Sequence, residues 1–148
     1  MEIRHTREED LPRLMEIYAH ARQFMAEHDN PTQWGSVWPP EELIRNDVAT
    51  GRGFACVQDG RVVGTFFFDY GTDVEPTYAS IEDGVWLSDE PYGVVHRIAS
   101  DGSAPGTGSF CIEWAFAQCG HLRIDTHADN HVMRSLLEKL GFMRCGTI

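Results

Sequence analysis

From Val94 to Ser109 the chain reads Val94-Val95-His96-Arg97-Ile98-Ala99-Ser100-Asp101-Gly102-Ser103-Ala104-Pro105-Gly106-Thr107-Gly108-Ser109. This is a β-branched strand, a polar turn, and a glycine-rich loop opening directly into a helical pattern, an order that belongs to a mixed α/β architecture. Gly106 and Gly108 lack a Cβ, so the backbone can turn tightly and approach a ligand closely. The first-turn amides of a helix beginning near Thr107 have no intrahelical acceptor, and with the helix dipole they favour a pyrophosphate. A glycine pair alone reads more readily as a tight turn with a helix packed behind it, so the rest of the chain decides.

Strands and helices alternate on both sides of this stretch. Glu2 to His5 is a short strand. Thr6-Arg7-Glu8-Glu9 has capping-box spacing and predicts that Thr6 starts a helix running to about His28, with Leu11, Leu14, Met15, Tyr18 and Met25 inward. The loop Thr32 to Pro39 carries Gln33, Trp34 and Trp38, and Pro39-Pro40-Glu41-Glu42 opens a second helix that Gly51 stops. Phe54 to Gln58, the turn Asp59-Gly60, and Arg61 to Tyr70 make a hairpin. Gly71 to Tyr92 is acidic and turn-rich, with strand-like pieces at Tyr78 to Ile81 and Val85 to Leu87 and no readable path. Thr107 to Cys119 predicts a helix apolar nearly all round, hence buried. Leu122 to His127 follows as a strand, His131 to Leu140 as a helix closed by Gly141, and Phe142 to Ile148 as the start of a last strand.

A length of 148 residues predicts one domain, 1–148. No apolar run reaches the ~18 residues a membrane helix needs, and no signal-peptide core follows Met1, so we expect a cytoplasmic protein with no membrane partner. Cys56, Cys111, Cys119 and Cys145 lie far apart without a C-x-x-C pair and read as reduced core residues. A formal net charge of −11 argues against nucleic acid. The acidity suits a cationic small molecule such as an amine, and serves solubility equally well.

The order of elements, ending in Leu140-Gly141-Phe142, resembles the GNAT superfamily of acetyl-CoA-dependent N-acetyltransferases over essentially the whole chain. Ser103-Ala104-Pro105-Gly106-Thr107-Gly108 occupies the frame of the family's loop motif, and Asn130 matches its asparagine at the following strand-helix junction. The resemblance implies a mixed α/β GNAT fold (acyl-CoA N-acyltransferase), with a twisted, mostly antiparallel sheet flanked by about four helices. It implies acetyl-CoA as co-substrate, no metal, and direct attack by a primary amine of a small molecule or peptide. The strand Val94 to Ala99 would splay from its neighbour, and main-chain groups of His96, Arg97 and Ile98 would pair with the pantetheine arm, one of them polarising the acetyl carbonyl. The amides of Ala104, Gly106, Thr107, Gly108 and Ser109 would hold the pyrophosphate, and Asn130 would contact the pantetheine or the thiol end. Gln33 and Trp34, with Trp38, lie in a loop that the family uses to wall the acceptor pocket; for the tryptophans, core anchoring of that loop is the equal alternative.

Three departures matter. Ser103 replaces the family's long Gln or Arg, and Pro105 has no N–H to offer. Leu137 stands where many members carry a tyrosine taken as the general acid. The family ends on two antiparallel strands, and only one is readable after Phe142; the C-terminal strand looks truncated, and the open edge predicts a homodimer or a covering segment.

Alternation on Leu122 to His127 puts Arg123, Asp125 and His127 on one face. Asp125 aligns with a catalytic acid position of some members and is equally a structural partner of Arg123 or His127. His127 has a suitable unperturbed pKa for a base, although a histidine in such a place more often only fixes a neighbour. Glu82 and Asp83 can bind or deprotonate a cationic acceptor, or simply form a solvated acidic loop. Asp125, His127, Asp129 and His131 invite a metal reading, but the spacing matches no zincin pattern. The loop lacks the Gly-Lys-Ser/Thr of an NTP-binding P-loop, which sets nucleotide hydrolysis aside. A non-catalytic acyl-CoA-binding module and a purely structural protein with a packed glycine loop remain as alternatives to an acetyltransferase.

Overall fold

Large apolar residues on both faces of the hairpin require cover on both sides. In the computed structural model, which describes residues 1–148, that cover is two pairs of helices. β1 (Glu2–His5), β2 (Gly53–Gln58), β3 (Arg61–Gly71), β4 (Tyr92–Ser100) and β5 (Leu122–Arg123) form one sheet in that order. All neighbours are antiparallel except β4 and β5, which run parallel. α1 (Leu11–Glu27) and α2 (Glu41–Ala49) cover one face, packing on Ala55 and Val57. α3 (Thr107–Cys119) and α4 (His131–Lys139) cover the other, packing on Phe54 and Cys56. The result is the mixed α/β, mostly antiparallel, four-helix arrangement that the resemblance implied.

α1 buries Leu11, Leu14, Ile17, Tyr18 and Ala21, spaced three and four residues apart on one stripe. Each Leu or Ile buried there contributes about 1.5–3 kcal/mol. Asp59 (φ 52°) and Gly60 (φ 76°) are both left-handed, the turn geometry whose twist matches the flanking strands β2 and β3.

Four expectations are corrected. Thr6 does not cap α1: its N–H bonds the Gly53 carbonyl at 3.0 Å, extending the sheet. A 3-10 turn, Glu8–Asp10, precedes the helix instead, and the Asp10 carboxylate accepts the Arg7 N–H at 2.8 Å while pairing with Arg4 at 2.7 and 3.0 Å. β5 ends at Arg123 rather than His127. The buried Arg123 guanidinium lies 4.3 and 4.0 Å from the Trp86 and Tyr92 ring centres and donates to the Ser88 carbonyl at 2.7 Å, and past it no further residue pairs with β4. Between Gly71 and Tyr92 there is a 3-10 turn, Pro76–Ala79, in place of the strand-like pieces. The segment after Phe142 makes only a single bridge, Thr147 with Glu82, through N–H···O contacts of 2.7 and 2.8 Å.

α3 is less covered than its composition suggested. Cys111, Ile112 and Ala115 are buried, but Phe116 on the outer side is 53% exposed. All four cysteines are free, Cys56 and Cys111 among the core. No helix is long and apolar enough to cross a membrane.

Candidate active site

β4 and β5 pair only through Gly93 with Leu122 and Val94 with Arg123. Beyond that point a cavity of about 260 Å³ opens, with Val95 to Ile98 and Ile124 to Thr126 in its walls. Gln33, Trp34 and Trp38 line it from the loop after α1. A second cavity of about 250 Å³ shares Met25, Ile98, Asn130 and Met133 with the first and reaches Gly102, Thr107 and Gly108. The two make one groove from the glycine loop to the space between the parted strands.

At the loop end, Gly106 adopts φ 77° and has nothing within 4 Å of where a Cβ would stand, so the approach is open and the conformation favours glycine. The first intrahelical bond of α3 is Phe110 N–H to Gly106 O at 3.0 Å, which leaves the amides of Thr107, Gly108 and Ser109 without intrahelical acceptors. Ser103 is turned to the loop's own support: its N–H and Oγ both donate to Asp101 Oδ1, at 2.9 and 2.6 Å. Asp101 in turn pairs with Arg13 and Arg61. The open glycine and the free amides fit a pyrophosphate, which backbone amides and the helix dipole would hold without the family's long side chain.

Midway, β4 carries a bulge. Thr65 pairs with Ala99 and Phe67 with His96, so Arg97 and Ile98 together oppose Phe66. Arg97 takes φ 52°, a left-handed conformation that costs a non-glycine residue about 1–2 kcal/mol. Its guanidinium donates to both Asp47 carboxylate oxygens, at 3.1 and 2.9 Å, and lies 4.6 Å from the Phe67 ring centre. Its carbonyl accepts from the Tyr18 hydroxyl at 2.9 Å. Asp47 and Tyr18 are both buried. Burial pushes the Asp47 carboxyl above its usual range against the pull of Arg97, and pushes the Tyr18 phenol far up.

At the far end, His96 lies between two carboxylates. Its Nε2 is 2.9 Å from Glu75 Oε1 and its Nδ1 is 4.0 Å from Asp125 Oδ1. The Tyr78 hydroxyl donates to the same Asp125 oxygen at 2.5 Å. Burial drives the imidazole below its ordinary range, although Asp125 and Glu75 pull the other way. Burial thus favours the neutral imidazole. Asn130 caps α4 by accepting the Met133 N–H at 3.0 Å, and its Nδ2 donates to Gln33 Oε1 at 3.1 Å.

Of the residues singled out from sequence, His96, Arg97, Ile98, Asp125, Asn130, Gln33 and Trp34 come together around the first cavity. Thr107 and Gly108 line the second, with Ala104, Gly106 and Ser109 beside them on the loop and the first turn of α3. His127, Glu82 and Asp83 lie outside both linings. His127 Nδ1 accepts the Asp129 N–H at 3.1 Å, and Glu82 is engaged through its backbone with Thr147. Leu137 packs into the core beneath α4. No three His, Cys, Asp or Glu side chains converge as a metal ion requires. Glu75, Tyr78 and Asp47 were missed. The first two sit in the stretch without periodicity, and Asp47 reads as an ordinary polar residue of a helix.

Residues 1–143 match the model of the Acetyltransferase (GNAT) domain family. The chain is similar in structure to a GNAT-family acetyltransferase of Streptococcus agalactiae, with 28% identity, a TM-score of 0.82, and coverage of 98% of this chain and 86% of that one. A GNAT-family acetyltransferase of Listeria monocytogenes shares the fold at 16% identity and a TM-score of 0.72, covering 99% and 88%. An aminoglycoside antibiotic 6'-N-acetyltransferase of Acinetobacter haemolyticus shares it at 15% identity and 0.61, covering 100% and 94%. Among curated proteins, none matches the chain.

Proposed function

This chain belongs to the GNAT acetyltransferase family, and from that we propose that it moves an acetyl group from acetyl-CoA to a primary amine by direct nucleophilic attack in the groove between β4 and α4. The observation that carries the reading is the parting of β4 from β5 at Val94, which leaves one groove with free helix amides at one end and a histidine between two carboxylates at the other. Bound there, acetyl-CoA supplies an activated acyl carbon. The amides of Gly106 to Ser109 hold its pyrophosphate, and the backbone of His96 to Ile98 pairs with its arm as an added strand would.

The residues at the far end act on the acceptor. A protonated amine is attracted by Glu75 and Asp125, and neutral His96, backed by those carboxylates, takes its proton so that the nitrogen lone pair is free to attack. The bulge amides at Arg97 and Ile98 stabilise the charge on the carbonyl oxygen. The N–C bond forms as the C–S bond breaks; the sulfur leaves as a thiolate, whose conjugate acid has a pKa of about 8.5, and takes up the second proton that the acylated nitrogen sheds, so no phenolic acid is needed at position 137. Trp34 and Trp38 give the acceptor's stem an apolar wall. The acceptor is a small-molecule or peptide amine, and the open edge of β1, which has one neighbour only, suits a second copy of the chain.

Calorimetric titration with acetyl-CoA and with CoA tests the groove. Micromolar binding of both is expected; no heat at millimolar ligand contradicts the assignment.

A further inference from the structure

Resting on that reading, we infer that Asp47 and Tyr18 are positioning residues that hold the β4 bulge in its left-handed conformation and thereby aim its amides at the thioester carbonyl. The bulge sits where the groove needs a free amide, yet the residue at its turn is an arginine with φ 52°, not a glycine. A non-glycine residue stays there only when its surroundings hold it. Two helices supply the hold. From α2, the buried Asp47 grips the Arg97 side chain with two hydrogen bonds, and from α1, the buried Tyr18 hydroxyl grips the Arg97 carbonyl.

The side-chain and main-chain contacts act on the same residue from two different helices, α2, which contributes no residue to the groove wall, and α1, which reaches that wall only further along, through residues such as Met25. Rotation of the Arg97–Ile98 unit back into the ladder would break both. The pair also matters for charge. Arg97 lines the cavity, and with Asp47 on its guanidinium it does not oppose an incoming ammonium; the charges left facing the cavity are Glu75 and Asp125, with His96 between them.

The test compares two double variants that remove the same ion pair. Asp47→Asn with Arg97→Gly leaves position 97 free to adopt φ 52°, whereas Asp47→Asn with Arg97→Ala does not. The glycine variant is expected to keep native amide hydrogen exchange at residues 96–98 and to turn over faster than the alanine variant by roughly tenfold, the factor that about 1.4 kcal/mol of transition-state stabilisation gives. A merely structural role predicts the reverse order in Tm, alanine above glycine, with equal kcat and equal exchange; that outcome overturns the clamp. Tyr18→Phe is expected to raise exchange at Ile98 and lower kcat more than it alters the KM for the amine. If the parent protein turns over no amine, the acetyl-transfer reading fails, and the exchange comparison still decides the clamp.

Discussion

The side chain of Asn130 donates across 97 positions of sequence to Gln33 Oε1 at 3.1 Å, while its own oxygen caps α4 through the Met133 N–H at 3.0 Å. One side chain thus fixes a helix start and ties the loop after α1 to the opposite wall of the groove. Gln33 Oε1 also accepts from the buried Asn30 at 2.8 Å, so the loop end is anchored on both sides.

Asn130→Asp separates the two roles. Aspartate keeps the cap but has no N–H for Gln33. Thermal unfolding is expected to change little while the KM for the amine rises severalfold. Asn130→Ala is expected to lose the cap as well, at a cost of about 1 kcal/mol in stability by denaturant titration.

Proton removal by His96 predicts the pH profile. Its imidazole is held below the ordinary 6.5 because burial outweighs Asp125 and Glu75. The acid limb of kcat/KM is therefore expected below pH 6.5, and His96→Gln is expected to lower kcat by ~10²-fold or more and to remove that limb. The stability sign follows from the same shift. The unfolded chain binds the proton more readily than the folded one, so stability rises with pH through this range and falls as pH drops below 6.5. An acid limb unchanged in His96→Gln contradicts the assignment.

Asp10 is expected to contribute to a separate, more acidic transition. Its hydrogen bonds from Arg4 and then from the Arg7 N–H hold the carboxyl below its usual range, despite burial. A depressed folded value means stability that is present above the unfolded pKa of about 3.9 and lost as pH falls through the folded one. Asp10→Asn is expected to cost roughly 1 kcal/mol at pH 7 and little below pH 2, by denaturant titration at each pH.

Gly106→Ala meets no neighbour, since nothing lies within 4 Å of the added Cβ. The loss expected is conformational, from φ 77°, and amounts to about 1–2 kcal/mol. If the loop holds the pyrophosphate, calorimetry should show acetyl-CoA binding weakened roughly tenfold with the amine's KM unchanged.

The parts of this molecule that sequence makes legible are those with local causes. Gly106 followed by an apolar helical pattern announces both the turn and the helix, and Asp59-Gly60 between apolar runs announces the hairpin. α1 is visible from its stripe, but not its start, because the Arg4 to Asp10 pairing that selects the cap spans the end of a strand. Asp125 is found by alternation even though β5 stops two residues earlier; His127 lies beyond that stop and is set by its neighbour Asp129 instead. Arg97 reads as an ordinary strand residue, since the partners that hold its left-handed conformation lie on α1 and α2. Glu75 and Tyr78 are brought to the site by a loop with no period to read.

The most direct measurement follows free thiol and acetylated amine together as the protein is mixed with acetyl-CoA and, in turn, polyamines, amino acids, aminoglycosides and peptides with free N-termini. The account predicts that at least one primary amine is acetylated in step with thiol release, and that Glu75→Gln and His96→Gln both suppress it while leaving acetyl-CoA binding intact. Tight acetyl-CoA binding with no acetylation of any amine contradicts it and leaves a binding module of the same fold.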